Sequence, residues 1–205
     1  RYKYLSAGYR MPDQRRSDCK IIVCYLKASS AVLQDHFLNR MAAAFAPGQS
    51  KDAIVHVELY FPDRGNRDQG LSAGIHYGGQ MFMYPKTFSR SDWVFHSITA
   101  TDRQVSLAKR FCERQKGAGF NYPGFFLPGT CNLGHSYRIQ NLDTKRMPWY
   151  CSELVAYTLL YAGILENEDA RDARSHPQAA YNVIQHRCHT YLDSARSLQG
   201  KSLEL

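Results

Sequence analysis

Hydrophobic positions along the chain change period several times, and each change marks an element. Lys20-Ile-Ile-Val-Cys-Tyr-Leu26 is a β-rich apolar run, as expected of a buried strand. From Ser30 to Phe45 the residues Val32, Leu33, Phe37, Leu38, Met41 and Ala44 recur at helical spacing, and Pro47-Gly48 ends the pattern. Ala53 to Phe61 alternates as a strand, with Val55, Val57 and Leu59 on one face and Ile54, His56, Glu58 and Tyr60 on the other. A turn-rich stretch from Pro62 to Gly70 leads to a return strand from Leu71 to Tyr77. Gly78-Gly79 turns the chain again, and two further strands follow at Gln80 to Tyr84 and Trp93 to Thr99.

The second half is helical. Thr101-Asp-Arg-Gln104 is a capping box that opens a helix through Val105, Leu107, Ala108 and Phe111 to Gly117. Residues 118–148, rich in Gly, Pro, Asn and Tyr, are expected to form a long loop that lines a site. Next comes an apolar helix starting at Cys151, with Leu154, Val155, Thr158, Leu159 and Ala162 inward and Gly163 as its stop. Glu166 to Arg174 reads as a charged linker. Ser175-His-Pro-Gln178 reads as a second capping box, opening a short helix through Tyr181, Val183 and Ile184. Residues 1–18 form a basic arm, 19–190 one domain and 191–205 a polar tail, with no internal repeat. The pattern predicts an α+β fold.

Composition narrows this reading. With 44% hydrophobic and 13% aromatic residues, the 205-residue chain can build a packed core. The formal charge of +8 is concentrated near the start, at Arg1, Lys3, Arg10, Arg15, Arg16 and Lys20. That arm offers a docking point for an acidic partner, whereas specific nucleic-acid binding is not expected. No run reaches the roughly 20 apolar residues of a membrane-spanning helix, and no apolar signal-peptide core opens the chain. A start at Arg1 fits a processed precursor, a polyprotein segment or a clipped chain. The six cysteines stand singly at 19, 24, 112, 131, 151 and 188, which suits a reducing compartment, cytoplasmic or virion-associated.

Two segments carry candidate chemistry. Cys151 stands at the first turn of its helix, where unpaired backbone N–H groups and the helix dipole favour a thiolate. His56 stands on a strand and could take the thiol proton and return it to a leaving group. Glu58 projects on the same side, about 6–7 Å along the strand. It could orient the imidazole directly or through water. His76 competes for that role: a hairpin closing symmetrically around Asn66 would set it opposite His56. Tyr122 and Tyr150 are candidate oxyanion donors. His186-Arg-Cys188-His189 has no matching second cluster, so no metal site and no cofactor are expected.

His56-Val-Glu58-Leu59, Ser72-Ala-Gly-Ile-His-Tyr-Gly-Gly79 and Trp149-Tyr-Cys151-Ser152-Glu153-Leu154 together resemble the circularly permuted branch of the NlpC-type papain-like superfamily, particularly its viral and phage members. There a strand histidine precedes the helical cysteine. Gly117-Ala-Gly-Phe-Asn-Tyr122-Pro-Gly124 is similar to the glycine–tyrosine segment upstream of that cysteine, and Ser175-His-Pro-Gln resembles the helix start that follows it. The resemblance covers discontinuous stretches between about residues 20 and 185. It implies a papain-like core, with an antiparallel sheet packed against the cysteine helix, and hydrolysis of amides or esters. Cys151 matches the nucleophile and His56 the base. The third polar residue often lies on the following strand, where Ser72 and His76 stand, so Glu58, Ser72 and His76 all remain candidates.

The expected function is therefore a thiol hydrolase acting on a peptide, an isopeptide, a peptidoglycan stem or a lipid ester. The alternative is a structural or binding protein, for instance a virion component, that keeps the fold without turnover.

Overall fold

The computed structural model describes residues 20–30, 53–63, 66–126 and 132–187. The basic arm, the helix expected over 30–45, the polar tail and the Cys188-His189 pair lie outside the described residues, apart from Ser30. Five strands form one antiparallel sheet: β1 (Lys20–Lys27), β2 (Ile54–Asp63), β3 (Asn66–Gly74), β4 (Phe82–Pro85) and β5 (Trp93–Thr99), in the order β4-β3-β2-β1-β5. The described helices are α1 (Asp102–Gln115), α2 (Tyr122–Phe126), α3 (Asn132–Asn141), α4 (Cys151–Tyr161), α5 (Asn167–Ala173) and α6 (177–187). The α+β class is present and each expected strand has a counterpart, but β3 starts at Asn66, inside the stretch expected to turn, and ends at Gly74 rather than Tyr77.

Between its terminal lysines β1 is apolar because both its faces are covered. Ile21, Val23 and Tyr25 join the main core with Val57, Leu59 and Phe61, while Cys24 and Leu26 join a smaller cluster with Tyr60 and Trp93. The expected alternation of β2 fails at one point. Leu26 faces His56 but Lys27 faces Ile54, so Val55 is an extra residue. Such a bulge places consecutive side chains off the regular pleat. Ile54 accordingly packs with Val57 and Leu59, whereas Val55 joins the Tyr60 cluster.

α4 packs on β2 and β3 and is flanked by α1 and α5. Cys151 through Leu159 are all buried, which suits a helix that is apolar nearly all round. Its end is a Schellman motif: Gly163, at φ 67°, donates to the Leu160 carbonyl at 2.9 Å, and Ile164 to that of Leu159 at 2.9 Å. The α1 capping box forms as expected, Gln104 N–H donating to Thr101 Oγ1 at 3.2 Å and Thr101 N–H to Gln104 Oε1 at 3.0 Å.

Three expectations are corrected. Residues 118–148 are not one long loop but carry α2 and α3. Asn121 starts α2, its Oδ1 accepting from Gly124 N–H at 3.1 Å, with Pro123 in the first turn. The charged stretch after Glu166 is not a linker but α5, with Glu168 and Asp169 in its first turn and Ala170 and Ala173 buried. At α6 the capping box of Ser175 and Gln178 does not form. Gln178 N–H donates to His176 Nδ1 at 3.1 Å, and Gln178 Oε1 instead accepts from Ile54 N–H at 2.8 Å. That bond ties α6 to the start of β2, just ahead of His56.

Candidate active site

Cys151 is the first residue of α4. The N-cap residue is Tyr150, extended at φ −114° and ψ 170°, and its side chain accepts none of the first N–H groups. Glu153, in the third helical position, reaches back to the Tyr150 N–H. The turn before Cys151 is held from outside as well. Trp149 N–H donates to Gly119 at 3.0 Å, and Asn121 N–H to Trp149 at 2.8 Å. Arg138 of α3 donates to the Pro148 carbonyl at 3.0 Å and sets its guanidinium 4.6 Å from the centre of the Trp149 ring.

Beneath this turn lies a buried ionic cluster. Glu153 is 2% exposed and accepts from Asn121 Nδ2 at 2.9 Å, with Arg138 Nε at 3.2 Å and Arg174 Nη1 at 3.9 Å. Burial pushes its carboxyl above the ordinary range, against the pull of these partners. Neither Arg138 nor Asn121 stood out in the sequence as a site residue. For Asn121 a signal was there, an asparagine preceding Tyr-Pro-Gly, which is a helix start.

His56 and Glu58 meet directly: His56 Nε2 donates to Glu58 Oε1 at 3.1 Å. Glu58 is fully buried, and Ser72 Oγ and Lys86 Nζ also donate to it, each at 2.6 Å. Gly74 makes this possible, since a Cβ there would lie 2.9 Å from Glu58 Cγ. Burial opposes the Glu58 charge, but His56 and Lys86 outweigh it and hold the carboxyl at about 2. Burial likewise opposes charge on His56. The charge and hydrogen bond of the neighbouring Cys151 side chain, followed by those of Glu58, raise the imidazole to about 9. Cys151, His56 and Glu58 are therefore brought into one contiguous line.

The other candidates fall around that line. The β2–β3 register pairs Leu59 with Ala73 and Tyr60 with Ser72 and ends there, so His76 lies just beyond the ladder. The turn itself is irregular: Pro62 faces Gly70 but Asp63 faces Asn66, so extra residues loop out of β3. The His76 ring lies 5.3 Å from that of His56 and stacks on Phe82 at 4.8 Å. Burial first, then the charges of His56 and Lys86, lowers His76 to about 4, so it is neutral at pH 7. Ser72 touches Glu58, not His56. Tyr150 is buried with its ring 6.2 Å from that of Phe125, while the exposed Tyr122 packs against Tyr77 and Phe120.

Lys86 gave no sign in the sequence, being a lone lysine in a proline-containing turn. His56, Glu58 and His76 offer ligand atoms within 4.8 Å of one another, a set that could in principle hold a metal ion. The Lys86 ammonium bonds one oxygen of the same carboxylate and already supplies a positive charge there. No known protein family matches the sequence, and no curated protein or solved structure is significantly similar to it.

Proposed function

We propose that this chain is a thiol hydrolase of the permuted papain-like type, acting on an amide or ester carbonyl. The observation that carries the reading is the contact chain from Cys151 at the α4 start to His56 and on to the buried Glu58. In this mechanism the thiol proton has already passed to His56, whose imidazole its neighbours raise to about 9, when Cys151 Sγ attacks the carbonyl carbon. With Nε2 engaged by Glu58, Nδ1 is the nitrogen that serves the thiol. Backbone N–H groups of the first α4 turn, unclaimed by the Tyr150 side chain, stabilise the oxyanion. His56 then gives its proton to the leaving group, and water releases the acyl group from the sulfur. Glu58 stabilises the imidazolium throughout.

Alkylation with iodoacetamide followed by mass mapping tests the reading. Cys151 should react selectively at neutral pH. Cys24 and Cys112 are fully buried; burial pushes the Cys24 thiol up and the Cys112 thiol to about 12, so both should stay unmodified. His56→Ala should slow alkylation of Cys151. Uniformly slow thiols, or a rate indifferent to His56, would overturn the proposal. Once a substrate is found, Cys151→Ala should abolish turnover, and adding His56→Ala should cost little more, because the two act as a unit.

A further inference from the structure

The proposed mechanism leaves one charged group near His56 unused. Lys86 follows β4, and its ammonium lies 2.6 Å from Glu58 Oε1. It also lies 4.9 Å from the ring centres of Phe88 and Trp93 and 5.8 Å from that of Phe82. Aromatic faces attract an ammonium electrostatically, so these rings hold Lys86 in place while its side chain stays 21% exposed. The same rings wall the site: Trp93 sets its ring 6.1 Å from His56, and Phe82 stacks on His76.

We propose that Lys86 is a positioning residue for the proton transfer, its caged ammonium keeping the Glu58 carboxylate anionic and fixed while His56 passes between charged and neutral. This role rests on the hydrolase reading for its purpose and on geometry for its physics. Glu58 has no exposed surface. A carboxylate paired only with a titrating imidazole would stand uncompensated whenever His56 was neutral. It would recover by holding the proton on His56 or by taking one itself, and either response obstructs proton return. Lys86 supplies a permanent countercharge, so His56 titrates beside a pair that is already neutral.

Among the described residues the groups facing His56 are Cys151 from α4, Glu58 from β2 and His76 beyond β3, and Lys86 donates to the same Glu58 oxygen as His56. Cys24 of β1 and Tyr84 of β4 also feel the Glu58 charge, and burial holds both above their ordinary ranges, hence neutral. Lys86 is therefore the permanent cation of this set.

The experiment follows the His56 imidazole by NMR across pH in the full chain carrying Cys151→Ala, which removes the thiol from the titration. Lys86→Met should raise the His56 midpoint by about one unit or more. Lys86→Arg should keep it within a few tenths of the Lys86 value. A midpoint that stays put or falls with Met, or moves equally with Met and Arg, overturns the proposal. Should Lys86→Met not fold, Lys86→Gln is read the same way. If neither neutral variant folds while Lys86→Arg does, Lys86 is a structural counter-ion and the proposal fails. The NMR readout needs no turnover, so failure of the hydrolase reading in the alkylation experiment is a separate result.

Discussion

Glu58 and Glu153 are both buried carboxylates with two cationic partners each, yet they are held in opposite ways. Glu58 is fully buried and lowered to about 2, whereas Glu153, 2% exposed, is pushed up. Burial is nearly equal, so the partners decide the sign. Lys86 and Ser72 approach Glu58 to 2.6 Å, with His56 at 3.1 Å. Glu153 has Asn121 at 2.9 Å, Arg138 at 3.2 Å and Arg174 at 3.9 Å, and Arg138 is shared with the Pro148 carbonyl. One carboxylate faces a base whose charge can change. The other closes a set of permanent charges around the turn that presents Cys151. The first suits proton transfer and the second suits fixing geometry.

The largest expected effect breaks the second arrangement. Glu153→Ala leaves Arg138 and Arg174 buried without their countercharge, which should cost about 3–5 kcal/mol of stability. Glu153→Gln should cost less, because it removes the charge but keeps a side-chain oxygen for Asn121 Nδ2 and Arg138. Equilibrium urea unfolding measures both. A loss below about 1 kcal/mol for the alanine variant would mean that water reaches the arginines and that the cluster is no clamp.

A pH series tests the first arrangement. His56 is raised from its ordinary 6.5 to about 9 by Cys151 and Glu58 against burial, so its stabilisation is complete below pH 6.5 and is lost as pH rises through 9. Glu58, lowered from 4.5 to about 2, contributes above pH 4.5 and loses that contribution as pH falls through 2. These are two ends of one ion pair and are not summed. Burial lowers His176 from 6.5 to about 4, so the unfolded chain binds its proton first and stability falls as pH drops from 6.5 to 4, while the exposed His76 adds little to that fall. Thermal melts should therefore be highest near pH 6.5 and decline as pH rises through 9. Cys151→Ala should remove the larger part of that decline and Glu58→Gln a smaller part, while Glu153→Gln leaves it in place. An alkaline limb unchanged in both of the first two variants would show that His56 is not the group responsible.

Gly74→Ala sharpens the comparison by acting beside Glu58 and not beside Glu153. The new Cβ would meet Glu58 Cγ at 2.9 Å and Phe82 Cζ at 3.0 Å. Overpacking of this kind costs about 1–3 kcal/mol. It should also lower the His56 NMR midpoint, by driving the carboxylate from the imidazole. A stable variant with an unmoved His56 midpoint would mean that Phe82 yields instead.

The sequence made the sheet legible because its strands differ in kind: β1 is continuously apolar, β2 alternates and β5 is bounded by turns. The Thr101 box and the Gly163 stop were legible because each is a local motif with its own hydrogen bonds. His56 and Glu58 could be placed on one side by alternation alone, and Cys151 at a helix start by the change of period. What stayed hidden depends on distant chain. The bulge at Val55 arises from pairing with β1. Lys86 and Arg138 acquire meaning only once the fold brings them to Glu58 and Glu153. The helices at 118–148 and 167–173 were missed for a different reason. Short helices with Gly, Pro or many charges look like loops, although Asn121-Tyr-Pro-Gly and the acidic first turn of α5 were helix starts in plain view.

The smallest expected effect concerns Asn121, which belongs to both a helix cap and the Glu153 cluster. Its Oδ1 caps α2 through Gly124 N–H at 3.1 Å, and its Nδ2 donates to Glu153 at 2.9 Å. Asn121→Ala removes both bonds and should cost about 1–2 kcal/mol, the cap supplying about 1 of it. Asn121→Asp separates the two parts. It keeps an oxygen for the cap but sets a carboxylate against Glu153 in place of a donor. If the clamp matters to the nucleophile, the aspartate variant should slow Cys151 alkylation more than the alanine variant does, despite its better cap. Equal alkylation rates in the two variants, at equal fold content, would mean that Asn121 acts through α2 alone and that Arg138 and Arg174 suffice to hold Glu153.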